Sequence, residues 1–408
     1  MKLRLAAVAI GAILAAGLAW TPARAQTTPP NTPGVTATEI KIGHTISYSG
    51  NTSAYGVLGK LESAFFNVMV NEKGGVAGHK INFISYDDGY SPPKTVEQIR
   101  RLVEEDQVAF TFNTLGTPTN SAIQRYLNQH KVPHLFVATG ADKWGNYQQF
   151  PWTIGWQPSY RTEAQIYTKY MLENAQNPKF AVLYQNDDFG KDYPAGVKDV
   201  LGDKFDKMVV TATYESTDAT IDSQITSLQA SGANVLLVVA TPKFAAQAIR
   251  KVHELQWKPM FFMTNVAISV GAVMTPAGPE NGIGIISAAY LKDPTDPRWK
   301  DDSGMQEWRA FMSKYLPGAD QTDAGYIAAY GVSNTMLFVL QQCHGDFSRE
   351  NIMKQATNLH DLGNPMLLPG IKINTGPTNY HPITAMQLVK WDGKTWQLFG
   401  QVIHGSGS

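Results

Sequence analysis

Strand and helix alternate along this chain at a short, even pitch, and they do so in two separate runs. In the first run, apolar stretches over 40–46, 80–86, 108–112 and 133–137 have strand length. Between them Leu58, Leu61, Phe65, Val68 and Met69 recur at helical spacing until Gly74-Gly75 stops the helix. Val96, Ile99, Leu102 and Val103 form a second helical face behind Ser91-Pro92, and Thr117-Pro118 opens a third helix. The second run places strands over 180–184, 207–213, 235–240 and 259–263, with helices over 188–201, 220–231 and 243–255. Alternation at this pitch requires parallel sheets covered by helices on both faces. Two runs, parted near 154–160, predict an α/β protein of two doubly wound parallel-sheet lobes, and 408 residues suffice for both.

The first 25 residues stand outside this pattern. Met1, Lys2 and Arg4 give a positive start, Leu5 to Trp20 carries no charge, and Ala23-Arg24-Ala25 offers small residues around a cleavage point. This predicts a secretory signal peptide over 1–25 rather than a membrane anchor, for which the stretch is short. No cysteine follows the cut, so a lipid anchor is not expected. Residues 26–34, rich in Thr and Pro, read as a flexible leader. No later stretch offers 18 uninterrupted apolar residues, so no membrane insertion is expected. The single cysteine, Cys343, excludes an internal disulfide, and among Met336, Leu337, Val339 and Leu340 it reads as a buried structural thiol. Export without disulfides points to a bacterial periplasm. The 34 basic and 34 acidic residues balance, which argues against a broad surface for nucleic acid.

Reactive groups are scarce. There is no G-x-S-x-G, H-E-x-x-H or Walker A sequence, and the nine histidines are dispersed. Asp188-Phe189-Gly190 has no other kinase motif beside it, and Asp87-Asp88 reads as a solvated pair at a strand end. No enzyme activity, cofactor or metal is therefore expected. Open α/β sheets bind ligands beyond the carboxyl ends of their strands. Three such loops, 47–50, 113–118 and 138–141, lie on one edge of the first sheet. Thr117 sits where a helix cap belongs, and amides and hydroxyl there suit an anion; periodicity alone favours a plain cap without a ligand. Tyr48, Tyr55, Phe136, Trp144, Tyr160, Phe189, Phe244 and Tyr326 fall in or beside loops. Each alone is a packing residue, whereas several around one cleft suit an apolar or aromatic ligand.

Several pieces recur in a recognisable order: Ile42-Gly43 through Tyr55-Gly56, then Val70-Asn71-Glu72-Lys73-Gly74-Gly75-Val76-Ala77-Gly78. Tyr86-Asp87-Asp88-Gly89-Tyr90-Ser91-Pro92 follows, then Lys131-Val132-Pro133 through Ala141, then Asp188-Phe189-Gly190. In this order and spacing the chain, from about Gly34 to Ile403, resembles the periplasmic branched-chain amino-acid-binding proteins of ABC transporters. The resemblance implies a type I periplasmic binding protein fold, a Venus-flytrap with a three-crossover hinge. Lobe 1 would be 35–157 plus 283–376 and lobe 2 would be 158–282 plus 377–408. The lobes would close on a small organic acid and present it, as a monomer, to an inner-membrane ABC permease. A periplasmic sensor signalling to a membrane receptor or kinase uses the same lobes and remains the alternative.

The resemblance also carries roles. Thr117 would hold the ligand carboxylate, with the strand-end pair Ala138 and Gly140 beside it and Thr139 between them. Tyr55 would be an aromatic wall and Phe189 the second-lobe aromatic that closes over the ligand. Thr241, Phe244, Asn265 and Tyr326 complete the candidate set. Amino-acid-binding relatives pair the ligand ammonium with a second-lobe acid, and the matching stretch here, 263–267, has none. A buried ammonium without a counter-charge costs several kcal/mol. The expected ligand is therefore an acid without an α-ammonium, an aromatic acid ahead of a branched-chain amino acid. The family's first-lobe disulfide is absent, with Tyr90 and Leu115 or Gly116 near its positions.

Overall fold

A computed structural model describes residues 32–405, so the expected signal peptide and most of the leader lie outside the described residues. The fold begins at the leader's end. The Gly34 carbonyl accepts from the Lys41 amide at 2.8 Å. At Gly34, with φ of 72°, a side chain would fall 2.1 Å from the Ala109 amide nitrogen.

The first sheet holds β1 (Glu39–Ile46), β2 (Lys80–Asp87), β3 (Phe110–Phe112), β4 (His134–Val137) and β5 (Thr153–Gly155). Its order is β2-β1-β3-β4-β5, with every pair parallel. The second sheet holds β6 (Phe180–Gln185), β7 (Val209–Tyr214), β8 (Val235–Val239), β9 (Met260–Met263) and β10 (Ile286–Ala289), then β11 (Ala385–Trp391), β12 (Trp396–Leu398) and β13 (Ile403–His404). Its order is β12-β11-β10-β9-β8-β6-β7, with β13 on β11. β8, Val-Leu-Leu-Val-Val, is buried at every position, as a strand covered on both faces must be.

Two features depart from the expectation of parallel lobes. β11 runs antiparallel to β10, β12 and β13, which adds an antiparallel edge to the second sheet. Its hairpin turns at Asp392-Gly393, where Gly393 has φ of 100° and Asp392 Oδ1 accepts from the amides of Lys394 (2.8 Å) and Thr395 (2.9 Å). The return to the first lobe, expected near 283, falls after Ala289, because β10 pairs with β9 and β11 in the second sheet. The last passage, expected near 376, falls later too. Tyr380 still donates to the Pro151 carbonyl at 3.0 Å and packs on Tyr147, before the chain enters β11 at Ala385.

The returning segment covers the first sheet. Its helix Gly325–Gln342 packs on the helix Gly56–Ser63, which continues as a π-helical stretch over Ala64–Val70. Arg349 reaches the carbonyls of Val108 and Ala109, both at 2.9 Å. Between these layers Phe66 is fully buried, with its ring 5.1 Å from Phe65, 5.8 Å from Phe83 and 5.6 Å from Phe112. Among the described residues no helix is long and apolar enough to cross a membrane. Phe66→Ala opens a cavity that three aromatic neighbours cannot close, so urea unfolding is expected to show a loss of about 3–5 kcal/mol.

Candidate functional site

A cleft with about 1310 Å³ of empty space, its open mouth included, runs between the two sheets. Its first-lobe wall starts at the helix Thr117–Gln129. Gly116, not Thr117, is the cap residue, with φ of 93°, and Thr117 is the first helical residue. A side chain at Gly116 would fall 2.4 Å from the Tyr90 ring, so glycine is needed there for space as well as for backbone angle. Pro118 supplies no amide, and the opening amides of a helix have no partner within it. The hydroxyls of Thr117 and Thr139 lie 2.5 Å apart, both buried in the cleft wall. This end presents hydroxyls, free helix amides and the positive end of a dipole to whatever binds there.

Aromatic rings enclose the same end. Tyr160 stands 5.1 Å from Phe189, edge to face, and 5.5 Å from Tyr193. Phe189 is aimed by Asp187, which caps the helix Asp188–Leu201 by accepting from the amides of Phe189 and Gly190. Tyr55, Tyr90 and Tyr290 complete the lining.

The structure brings Tyr55, Thr117, Ala138, Thr139, Phe189, Thr241 and Asn265 into one cleft wall. It does not bring in Gly140, Phe244 or Tyr326. At Gly140 a side chain would fall 2.3 Å from the Pro158 carbonyl oxygen, and the Gly140 carbonyl accepts from the Tyr160 amide at 2.8 Å. Gly140 thus seats the helix Tyr160–Asn174 and does not line the cleft. Phe244 is fully buried against Tyr214, with ring centres 4.5 Å apart. Tyr326 is buried without lining the cleft, although its neighbours Gly325 and Ile327 line it.

Sequence reasoning missed the acids. The stretch 263–267 indeed holds none, but Glu163 lies directly behind Asn265. Its carboxyl accepts from Tyr167 Oη (2.6 Å), Tyr193 Oη (2.9 Å), the Asn265 amide (2.8 Å) and Asn265 Nδ2. Burial raises its pKa from 4.5 to about 7. Asp323 lines the cleft itself, and burial raises its pKa as well. Ser269 Oγ (2.8 Å) and the Gly325 amide (2.9 Å) both donate to its Oδ1. Neither acid lies in a segment with a readable motif. The other charged lining residues are engaged: Lys292 Nζ donates to Asp302 (2.8 Å) and the Pro365 carbonyl (2.8 Å), and Asp293 accepts from Thr295 and Thr395. Among the described residues no group of three or more His, Cys, Asp or Glu could hold a metal ion.

Bonds across the mouth hold the lobes together. Tyr55 donates to the Val266 carbonyl at 3.0 Å, Asn51 to the carbonyls of Ser216 (2.9 Å) and Asp218 (3.2 Å), and Lys243 to Asn51 Oδ1 at 2.9 Å. On the other side the Asp142 amide donates to Asp192 at 2.8 Å, and Lys143 meets Asp188 at 3.1 Å.

A cleft between two sheets, with hydroxyls and an open helix start at one end, is an arrangement in which a small ligand can be held between the two halves. A family model for periplasmic binding proteins matches residues 39–395, and the chain belongs to that family. It is 22% identical over 370 residues to Leu/Ile/Val-binding protein homolog 7 of Brucella suis, covering 87% of this chain and 90% of that protein. A branched-chain amino acid ABC transporter protein from Thermus thermophilus, solved with bound valine, superposes with a TM-score of 0.80 at 12% identity, over 90% of this chain and 97% of that one. A fatty acid ABC transporter substrate-binding protein from Thermomonospora curvata gives 0.78 at 20% identity, over 93% and 97%. The fold is that of type I periplasmic binding proteins, and family membership implies a periplasmic location.

The Glu163 carboxyl gives a pH signature. Its folded pKa lies above its ordinary value, so the fold binds the proton more tightly than the unfolded chain does. Its contribution is then most favourable below about pH 4.5, falls between 4.5 and 7, and is level above. Glu163→Gln is expected to flatten that fall by about 3 kcal/mol relative to the parent chain, read as the difference between two unfolding series across pH 4–8.

Proposed function

We propose that this protein is the solute-binding component of an ABC importer. It captures a small ligand bearing a carboxylate and an apolar, preferentially aromatic, body, closes on it, and delivers it to an inner-membrane permease. The observation that carries the reading is the pairing of Thr117 and Thr139 hydroxyls at an open helix start, beside the rings of Tyr55, Tyr90, Tyr160 and Phe189 in the same cleft. Hydrogen bonds to a charged group contribute roughly 1.5–3 kcal/mol, enough to fix a carboxylate there. Tyr55, Tyr90, Tyr160 and Phe189 then surround the body of the ligand.

Asp323 favours a second reading. A buried carboxyl in the wall, raised by desolvation, is what a ligand ammonium would relieve. An α-amino acid would then bind with its carboxylate on Thr117 and its ammonium near Asp323. The two readings separate cleanly. Calorimetric titration with benzoate-type acids, cinnamate-type acids and branched-chain amino acids gives the class. Thr117→Ala is expected to lower affinity for the true ligand by roughly 10–150-fold with the melting temperature of the free protein unchanged. Asp323→Asn is expected to leave affinity for an aromatic acid intact. A large loss confined to amino acids would establish the second reading instead.

A further inference from the structure

The cleft is longer than a compact acid requires. Its second-lobe wall draws in turn on Thr241 after β8, Asn265 after β9, Ala288 and Ala289 of β10, Val389 of β11, and Trp396 and Leu398 of β12. These are five neighbouring strands of one sheet. Four inter-strand steps of about 4.8 Å make a wall roughly 19 Å long. Thr117 bonds Thr139, Thr139 bonds Tyr160, and Tyr160 packs 5.1 Å from Phe189 at the start of the helix after β6. β11 and β12 lie four and five strands along the sheet from β6.

The remote arm has a chemistry of its own. Ile268, Ala272, Leu291, Trp299, Leu368 and Leu398 line it. Trp396 is fixed there by its indole N–H, which donates to the Ile268 carbonyl at 2.7 Å. The charged side chains nearby already have partners, Asp323 among them, which accepts from Ser269 beside Ile268 and from the Gly325 amide. Lys292 is held by Asp302 and Pro365, Asp293 by Thr295, Thr395 and the Trp396 amide, and Asp296 accepts from the Arg298 amide. Among the described residues that line this end, no free cation or donor array waits for a second anionic group.

We propose that the arm takes an apolar tail, and that the ligand class is a monocarboxylate whose acyl or aryl-alkyl chain runs from Thr117 towards Trp396. This rests on the assignment of the carboxylate to the Thr117 end. Each methylene buried in the arm is expected to raise affinity roughly fourfold until the arm is full.

The test is calorimetric titration of the full chain with straight-chain monocarboxylates from butanoate to dodecanoate, with ω-phenyl alkanoates, and with α,ω-dicarboxylates of matching length. Affinity should climb with chain length in the first two series, and the dicarboxylates should bind more weakly than monocarboxylates of equal length. Ala272→Trp, and separately Leu398→Trp, should remove the gain of the long members while leaving the short ones unchanged. Leu398 lies on a short edge strand, which keeps that variant informative if the other fails to fold. Short acids that bind with no dependence on length, or dicarboxylates that bind best, would overturn the arm and leave the carboxylate site standing. Failure of every acid to bind would overturn the carboxylate site and the arm with it.

Discussion

The start of the helix Thr117–Gln129 sets the polar end of the cleft, where amides without a helical partner meet two paired hydroxyls. Gly116 makes this possible. Its left-handed backbone turns the chain into the helix Thr117–Gln129 without a side chain in the way, and the Tyr90 ring lies against the bare Cα. The same turn brings Thr117 to within 2.5 Å of Thr139, a contact between loops that follow different strands. Thr139 in turn is fixed by the bulged end of β4, where Phe136 takes φ of 53° and the register with β5 shifts. Backbone strain at a strand end thus sets the position of a hydroxyl in the cleft.

The legible part of this architecture was the part with period. Strands β1 to β4 and β6 to β9 and the helices between them follow from apolar spacing alone. The edge formed by β11, β12 and β13 does not, because short antiparallel strands carry little periodic signal and their register depends on partners far along the chain. Asp392-Gly393 was the one local clue to that hairpin. β10 was missed for a related reason: Ile286–Ala289 is four residues long, and only pairing with β9 and β11 makes it a strand.

The site divides in the same way. Thr117, Ala138 and Thr139 follow strands or open a helix, so the pattern of elements locates them. Gly140 and Phe244 occupy equally suggestive positions, yet one serves a helix crossing and the other a core contact with Tyr214. No spacing rule separates these cases, because the difference lies in which side of a loop faces the cleft. Asp323 and Glu163 were beyond reach for another reason. Asp323 enters from the segment that returns from the second sheet to the first, and Glu163 from the helix that follows the first crossing. Only the folded chain brings either near Asn265 or Ser269.

Polar bonds hold both sides of the mouth. Asn51, Tyr55 and Lys243 bond across one side, Asp142 and Lys143 across the other, and Ser269 bonds Asp323; bonds of this kind each contribute about 0.5–1.5 kcal/mol net. They are offset by the ordering of long side chains and by whatever strain the hinge takes up. A ligand that contacts both walls would add to these bonds, and it would shift any balance between arrangements of the lobes by its differential affinity alone. Thr117 belongs to the first-lobe wall and Phe189 and Asn265 to the second, so anything held between them would tie the two walls together.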